Sequence, residues 1–414
     1  MGQSLTRAGG DWREVLAVFL RLGLTAFGGP AAHTGLFRET LVRRRGWLSD
    51  DDFMDLVAAT STIPGPNSSE LALAIGRRRA GWPGFAAAGI GFILPAVVIS
   101  IVLAWLAVGA ASVEVMAAVL AGIDPVVVAI LVVSVAGLAW VMVGDRIRLA
   151  VAGLAMLAYL AGLPEIAILA GGAAIVLVWR AARPPRPVSS LDDPIVDEVP
   201  GATEGEPPSQ TGLRGFVAPG AWWLATASSA STVVIGLAPI FLVFLKAGAL
   251  LFGSGYVLVA LLRADLVVDL GWITERQLLD AIAVGQATPG PLTSSAGYIG
   301  FLLAGVPGAL VATAGIYLPA LILVGLLEPI VQAVKTRPTA AAALAGAGAG
   351  ALGLLAGVTI ELARAALLPA GSPAPVPIVV AGVATVALAS GRVGPTILIL
   401  LGGLIGMVRV FVVG

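Results

Sequence analysis

Long apolar runs, broken at recurring places, set the pattern of this chain. Residues 83–108, 125–143, 306–327 and 393–412 approach or exceed the ~20 apolar residues that carry a helix across a bilayer core. Further crossings are read at 148–162, 164–179 and, more weakly apolar, at 222–236. Other apolar pieces are too short to span. Residues 14–27 and 31–42 are separated only by Gly28-Gly29-Pro30, and 53–63 and 67–76 only by Pro64-Gly65-Pro66. At ~1.5 Å per residue such pieces reach roughly 15–21 Å, half to two-thirds of a bilayer. Proline removes a backbone donor and disfavours helix in the residue before it, and glycine permits a reversal. The pattern therefore predicts helical hairpins that dip into the membrane and turn near its middle. A kinked continuous helix is the alternative, because Gly and Pro are frequent in transmembrane segments.

The same punctuation occurs twice. Phe27-Gly28-Gly29-Pro30, Gly46-Trp47, Asp55, Pro64-Gly65-Pro66, Gly81, Pro83-Gly84 and Pro95 return as Phe252-Gly253-Ser254-Gly255, Gly271-Trp272, Asp280, Pro289-Gly290-Pro291, Gly305, Pro307-Gly308 and Pro319. The offset is 225 (244 − 19) through the triplet and 224 (300 − 76) after it. Paired, Gly/Pro-interrupted helices at matching positions of two halves mark a secondary transporter. The expected fold class is an all-α polytopic membrane protein of two homologous halves, in inverted topology, with broken, re-entrant hairpins. Residues 1–182 and 216–414 form the halves, and the Pro- and acid-rich stretch 183–215 a flexible polar linker.

Composition supports this. The chain is 58% hydrophobic and 12% charged, against about 25% charged in a soluble domain. Its 24 basic and 24 acidic residues cancel, so no field draws nucleic acid. With no cysteine and one histidine, disulfides, thiolate metal sites, cysteine nucleophiles and a histidine zinc site all fall away. No metal, cofactor or enzymatic constellation is expected. Charge placement then orients the chain: Arg43-Arg44-Arg45 and Arg77-Arg78-Arg79 lie at the outer ends of the first-half hairpins, marking that side as cytoplasmic. The second-half equivalents, Val268-Asp269-Leu270 and Phe301-Leu302-Leu303, have lost that charge, as expected of an upside-down repeat. Inversion needs an odd number of crossings between the hairpin sets, and 222–236 is the candidate for the fifth.

The chain resembles the chromate ion transporters in the form that fuses two homologous domains. The resemblance covers roughly 19–95 and 244–319. It rests on Phe27-Gly28-Gly29-Pro30 with His33, Arg43-Arg44-Arg45-Gly46-Trp47-Leu48, Pro64-Gly65-Pro66-Asn67-Ser68, Arg78-Arg79-Ala80-Gly81-Trp82-Pro83-Gly84 and, in the second copy, Gly285-Gln286 with Thr288-Pro289-Gly290-Pro291. It implies export of the chromate dianion across the cytoplasmic (inner) membrane, coupled to the proton-motive force, with sulfate as a competing or alternative substrate. The implied partners are a small inorganic oxyanion, membrane lipid and, as an assembly, a homodimer. Two positions depart from the family pattern: Ser254 stands where Gly is usual, and Glu70 where Gln is. An anion channel, or a carrier of a different small anion, shares the broken helices and stays open as the alternative.

A half-helix starting inside the membrane presents free N–H groups and a positive dipole end, which hold oxyanions. This makes Gly28, Gly29, Pro64, Gly65, Pro66, Gly253, Pro289, Gly290 and Pro291 the candidate binding turns. Asn67, Ser68, Thr293, Ser294 and Gln286 are side-chain donors beside them, with plain helix capping an equal reading for the first four. Arg21 and Lys246, related by 225 (246 − 21), are read as cations facing a central dianion, with snorkelling the alternative. Arg38 and Arg263 are read as interfacial salt bridges to Glu39 or Asp265. The proton-coupling candidates are Glu70, His33, Asp55 and Asp280; for the last three a local structural hydrogen bond is the competing role.

Overall fold

The computed structural model describes residues 10–27, 29–109, 113–182, 235–252, 255–368 and 374–413. The expected linker at 183–215, the start of the second half and nearly all of the crossing at 222–236 lie outside the described residues.

Each half opens with two hairpins. In the first, α1 (Trp12–Thr25) turns into α2 (Gly29–Phe37), which continues as a π-helical segment, Arg38–Arg44. Next α3 (Asp50–Thr60) turns through the Pro-Gly-Pro triplet into α4 (Ser68–Gly109). The starts of α1 and α3 are capped: Asp11 accepts from the Arg13 N–H at 2.9 Å and Ser49 from the Asp52 N–H at 3.1 Å. The 42 residues of α4 are not one rod. Ala80 (φ −139°) and Gly81 (φ 64°) break the helix, and its arms fold back until a Cβ on Gly76 or Gly84 would strike the other's carbonyl oxygen. The left-handed φ at this reversal is why glycine stands at 81.

The second half repeats this course. It runs α8 (Leu237–Ala249), α9 (Val257–Leu262), a π segment at Arg263–Asp269, α10 (Glu275–Ala287) and α11 (Ser295–Gly325), with its reversal at Ala304 and Gly305 (φ 60°). Thr274 and Gln277 form a capping box on α10. The equivalence reaches beyond the motifs. Helices α5 (Val113–Val141), α6 (Arg146–Leu160) and α7 (Glu165–Ala181) match α13 (Pro338–Leu367), α14 (Pro375–Ala389) and α15 (Pro395–Val413), with start offsets of 225 (338 − 113), 229 (375 − 146) and 230 (395 − 165). Helix α12 (Leu327–Thr336) has no partner in this scheme.

The halves interlock by exchanging these helices. Helix α13 packs on α6 and α7, while α5 packs on α14 and α15. Both crossings use glycine: Gly346 meets Gly172, and Gly402 meets Gly122, too close for a side chain between them. Each half's α1/α4 or α8/α11 pair is tightened alike, by Gly23 against Gly91 and Gly248 against Ile316.

Two contacts establish direction. The Arg77 guanidinium donates to the Val324 and Gly325 carbonyls at 3.1 and 2.5 Å, so the Gly81 reversal lies beside the C-terminal end of α11. Along the second arm of α4, Gly290 lies by Phe92 and Ala96, and Gly297 by Val97 and Ile101. The first arm of α11 therefore runs away from the Gly81 end, and the Gly81 and Gly305 reversals sit at opposite ends of the bundle.

Among the described residues four helices are long and apolar enough to cross a membrane, and the outer surface fits that medium: Val386 is 71% and Leu400 66% exposed. The described residues form an all-α membrane protein of two homologous halves.

Candidate anion site

Each Pro-Gly-Pro turn meets the chain just past the first helix of the other half. The Gly290 N–H donates to the Ala26 carbonyl at 2.8 Å, and the Gly65 N–H to the Leu251 carbonyl at 2.6 Å. These bonds are images of one another, since 251 − 26 and 290 − 65 both equal 225. Each half's triplet is thus tied to the other half's first hairpin, and neither turn is complete alone. Gly65 (φ 150°) and Gly290 (φ 103°) both take conformations that side chains resist.

Two helix starts converge here: α4 at Ser68, and α11 through a 3₁₀ turn, Leu292–Ser294. Their first N–H groups lack intrahelical acceptors. The residues around these starts are polar yet buried: Ser68, Ser69, Glu70, Thr288, Thr293, Ser294 and Ser295. Ser68 donates to the Pro66 carbonyl at 3.2 Å, and the Thr293 and Tyr317 hydroxyls share a 2.5 Å hydrogen bond. Asn67 adopts a positive φ of 23° at the turn. The buried atoms that find no partner include Ser294 Oγ, Gln286 Nε2, His33 Nδ1 and both carboxylate oxygens of Glu70. Buried polar atoms without a protein partner are the kind that water or a ligand can satisfy.

The other expected residues fall around these turns. Gly29 lies against the Tyr256 hydroxyl, which bonds to Gln286 and Ser134. His33 Nε2 is 3.1 Å from the Ala26 carbonyl, the same oxygen that receives Gly290. The histidine thus joins the turn, although its sequence counterpart is Leu258. Gly28 and Gly253 lie outside the described residues.

Arg21 and Lys246 are not brought together. Arg21 is exposed in a cavity of about 800 Å³ lined also by Glu14, Thr25, Arg44 and Arg45. Lys246 is held by Asp265 of its own half at 2.5 Å and lies 4.0 Å from Glu165 of the first half, so its charge is matched by acids and does not face a common dianion. The expected partners of the next pair are also corrected. Arg38 bonds Asp50 rather than Glu39, and Arg263 bonds Glu275, Glu361 and Tyr159 rather than Asp265. The reason is reach: the π-helical turn rotates neighbouring residues apart, and the arginines extend to the next helix. Asp55 is exposed and Asp280 buried, so the repeat does not keep their environments equal.

The structure adds residues that motif reading passed over. Asp124, inside α5, shares an electrostatic neighbourhood with Asp280 and Arg276. An acid in the middle of an apolar run (Ile123-Asp124-Pro125) was the available signal. Tyr159, Arg263, Glu165, Asp269 and Glu361 line a second cavity, of about 340 Å³, at the opposite end from the Arg44 cavity. Among the described residues no group of three potential metal ligands occurs.

Comparison with known proteins agrees with this geometry. The family pattern described as "Chromate transporter" matches residues 13–177 and 238–407. The chain is 30% identical over 357 residues to a chromate transport protein of Cupriavidus metallidurans, covering 85% of this chain and 82% of that one. It is 30% identical over 363 residues to a chromate transport protein of Pseudomonas aeruginosa (86% and 82% covered). A probable chromate transport protein of Synechococcus elongatus is 29% identical over 358 residues (86% and 85% covered). No solved structure matches. The family pattern runs over both halves of the chain, and relatives 30% identical match most of its length: the chain belongs to the chromate transporter family.

Proposed function

We propose that this protein exports chromate, or a closely similar tetrahedral oxyanion such as sulfate, across the cytoplasmic membrane, driven by the proton-motive force. The observation that carries the reading is the reciprocal pair of turn bonds, Gly65 to Leu251 and Gly290 to Ala26. It puts two broken-helix starts at the repeat interface, where secondary transporters hold substrate. Helix starts bind oxyanions through backbone N–H groups without needing a fixed cation.

Direction is read from the two cavities. The one among Arg21, Arg44, Arg45 and Glu14 is net positive; the one among Arg263, Glu165, Asp269 and Glu361 is net negative. The first lies at the arginine-rich end, which the positive-inside rule assigns to the cytoplasm. A positive entry concentrates a dianion and a negative exit sheds it. In the same frame the halves are inverted, with Gly81 facing inside and Gly305 outside.

The test is chromate uptake into inverted vesicles, with and without an imposed proton gradient and with excess sulfate. Saturable uptake that rises with the gradient and falls with sulfate is expected. Uptake that does not saturate, or ignores the gradient, would replace the carrier by an anion channel.

A further inference from the structure

Glu70 is the group that the anion-binding reading leaves unexplained. It is 0% exposed, in the first turn of α4, and neither carboxylate oxygen has a hydrogen-bond partner of good geometry. The side chain folds back toward its own backbone N–H, over the helix start. It fills the space beside Gly65 so closely that a Cβ on that glycine would overlap the carboxylate. Among the described residues no ion pair reaches it. The titratable group beside it is the Tyr317 hydroxyl of α11, already bonded to Thr293. Past the triplet the offset is 224, so the equivalent place in the second half holds Ser294 (294 − 70 = 224), and the neighbour of Gly290 is Ala96.

From this placement we propose that the Glu70 carboxylate is a resident anion: it occupies the oxyanion position at the α4 helix start, and the transported oxyanion must displace it. Resting on the proposed function, this links oxyanion binding to the protonation state of Glu70. A charged carboxylate and a dianion repel one another at a shared helix start. Binding of the oxyanion is therefore linked to uptake of one proton by Glu70, whose neutral carboxyl then withdraws from the N–H groups. One helix start carries this switch and the other, bearing Ser294, does not, so one protonation accompanies the binding of each oxyanion.

The experiment is equilibrium binding of chromate to purified, folded protein, over a pH range in which the anion stays doubly charged. In the wild type, apparent affinity is expected to rise as pH falls, by up to about tenfold per pH unit. Glu70→Gln should bind more tightly than wild type at the high-pH end and lose the pH dependence. Glu70→Ser, which copies the second half, should behave the same and serves if the glutamine variant misfolds. A pH dependence unchanged in the variants, or affinity lowered by them, would overturn the resident-anion role while leaving oxyanion transport standing. No chromate binding by any of the proteins would overturn the proposed function and this inference with it.

Discussion

In the first half the helix after the Pro-Gly-Pro turn opens Ser68-Ser69-Glu70; in the second it opens Thr293-Ser294-Ser295. Arg21 is exposed in a positive cavity, while its counterpart Lys246 is locked to Asp265 and Glu165. Asp55 is exposed and Asp280 buried. Yet the reversals at Gly81 and Gly305 agree within a few degrees of φ, and the two turn bonds are mirror-equivalents. The copies kept what the backbone needs and diverged in what charge does. Reciprocal bonds explain the first part, because damage to one turn also unties the other half. The second part follows from the surroundings: equivalent positions meet different neighbours, as Arg38 meets Asp50 while Arg263 meets Glu275, Glu361 and Tyr159, so the copies have no reason to carry the same ionisable groups.

The largest expected effect is all-or-none and tests the inversion itself. The chain has no cysteine, so single cysteines can be placed without background. Arg44→Cys should react with an impermeant thiol reagent only from the cytoplasm, and Asp269→Cys only from outside. Labelling of both from one face would end the inverted reading while leaving the duplication intact.

Next come the turns. A Cβ on Gly290 would lie 2.8 Å from Ala96 Cβ, on a packed helix that cannot give way. Backbone strain of about 1–3 kcal/mol adds to overpacking of similar size, so Gly290→Ala should lose most folded protein. Ala96→Gly added to it should recover the packing part. At Gly65 the obstacle is the end of the Glu70 side chain, which can swing aside, so Gly65→Ala should cost only the strain. Folded yield by size-exclusion chromatography measures both. Equal losses, with no recovery by Ala96→Gly, would show that the two turns are packed alike.

Much of this arrangement was legible in the sequence, and the failures share one cause. Hairpins, turns and the duplication were readable because Gly and Pro act locally, on φ and on backbone donors. Helix α13, with 67% of its most apolar stretch buried, was passed over as a crossing because residues 340–353 are mostly Ala and Gly, although the helix as a whole is apolar enough to span. Small residues there serve close packing against α6 and α7. The partners of Lys246, Arg38 and Arg263 were misread or missed because ion pairing depends on which helices adjoin. The unpaired state of Glu70 was equally invisible, since it is a property of what surrounds residue 70 in space.

Neutralising the paired cations should separate the halves by a smaller margin. Lys246→Gln leaves Asp265, with a side chain only 8% exposed, without its partner. Because the lysine is itself 34% exposed, the loss should be about 2 kcal/mol, below the 3–5 of a fully buried pair. Asp265→Asn in the same chain should restore most of it. Arg21→Gln strands no acid and should alter stability by no more than about 0.5 kcal/mol. If Arg21 gathers the substrate, its loss raises the KM for chromate, more at low ionic strength than at high. Thermal unfolding in detergent and uptake kinetics supply the two readouts; a stability loss of equal size in both variants would mean that Arg21 has a partner after all.

The smallest effect concerns the caps of α3 and α10, where Ser49 and Asp52 stand in the places of Thr274 and Gln277 (274 − 49 and 277 − 52 both equal 225). Partial burial works to raise the Asp52 carboxyl, but the Ser49 hydroxyl and the Arg78 guanidinium outweigh it and hold the group below its ordinary 3.8. A carboxyl depressed by folding contributes stability above its unfolded pKa, and that contribution is lost as pH falls through the lower folded value. With a side chain 39% exposed, the contribution is under about 1 kcal/mol. Asp52→Asn should therefore lower stability slightly at neutral pH and flatten the acid limb of the stability profile below about pH 4. Gln277 does not titrate, but its Oε1 already accepts from the Thr274 N–H at 2.8 Å and from the Thr274 hydroxyl. Gln277→Glu keeps both bonds and adds charge at a helix start, so it should stabilise the protein by about 0.3–1 kcal/mol at neutral pH and give the second half the acid limb that it lacks. An acid limb that survives Asp52→Asn would assign it to another carboxylate, and a destabilising Gln277→Glu would show that the second cap, unlike the first, has no room for charge.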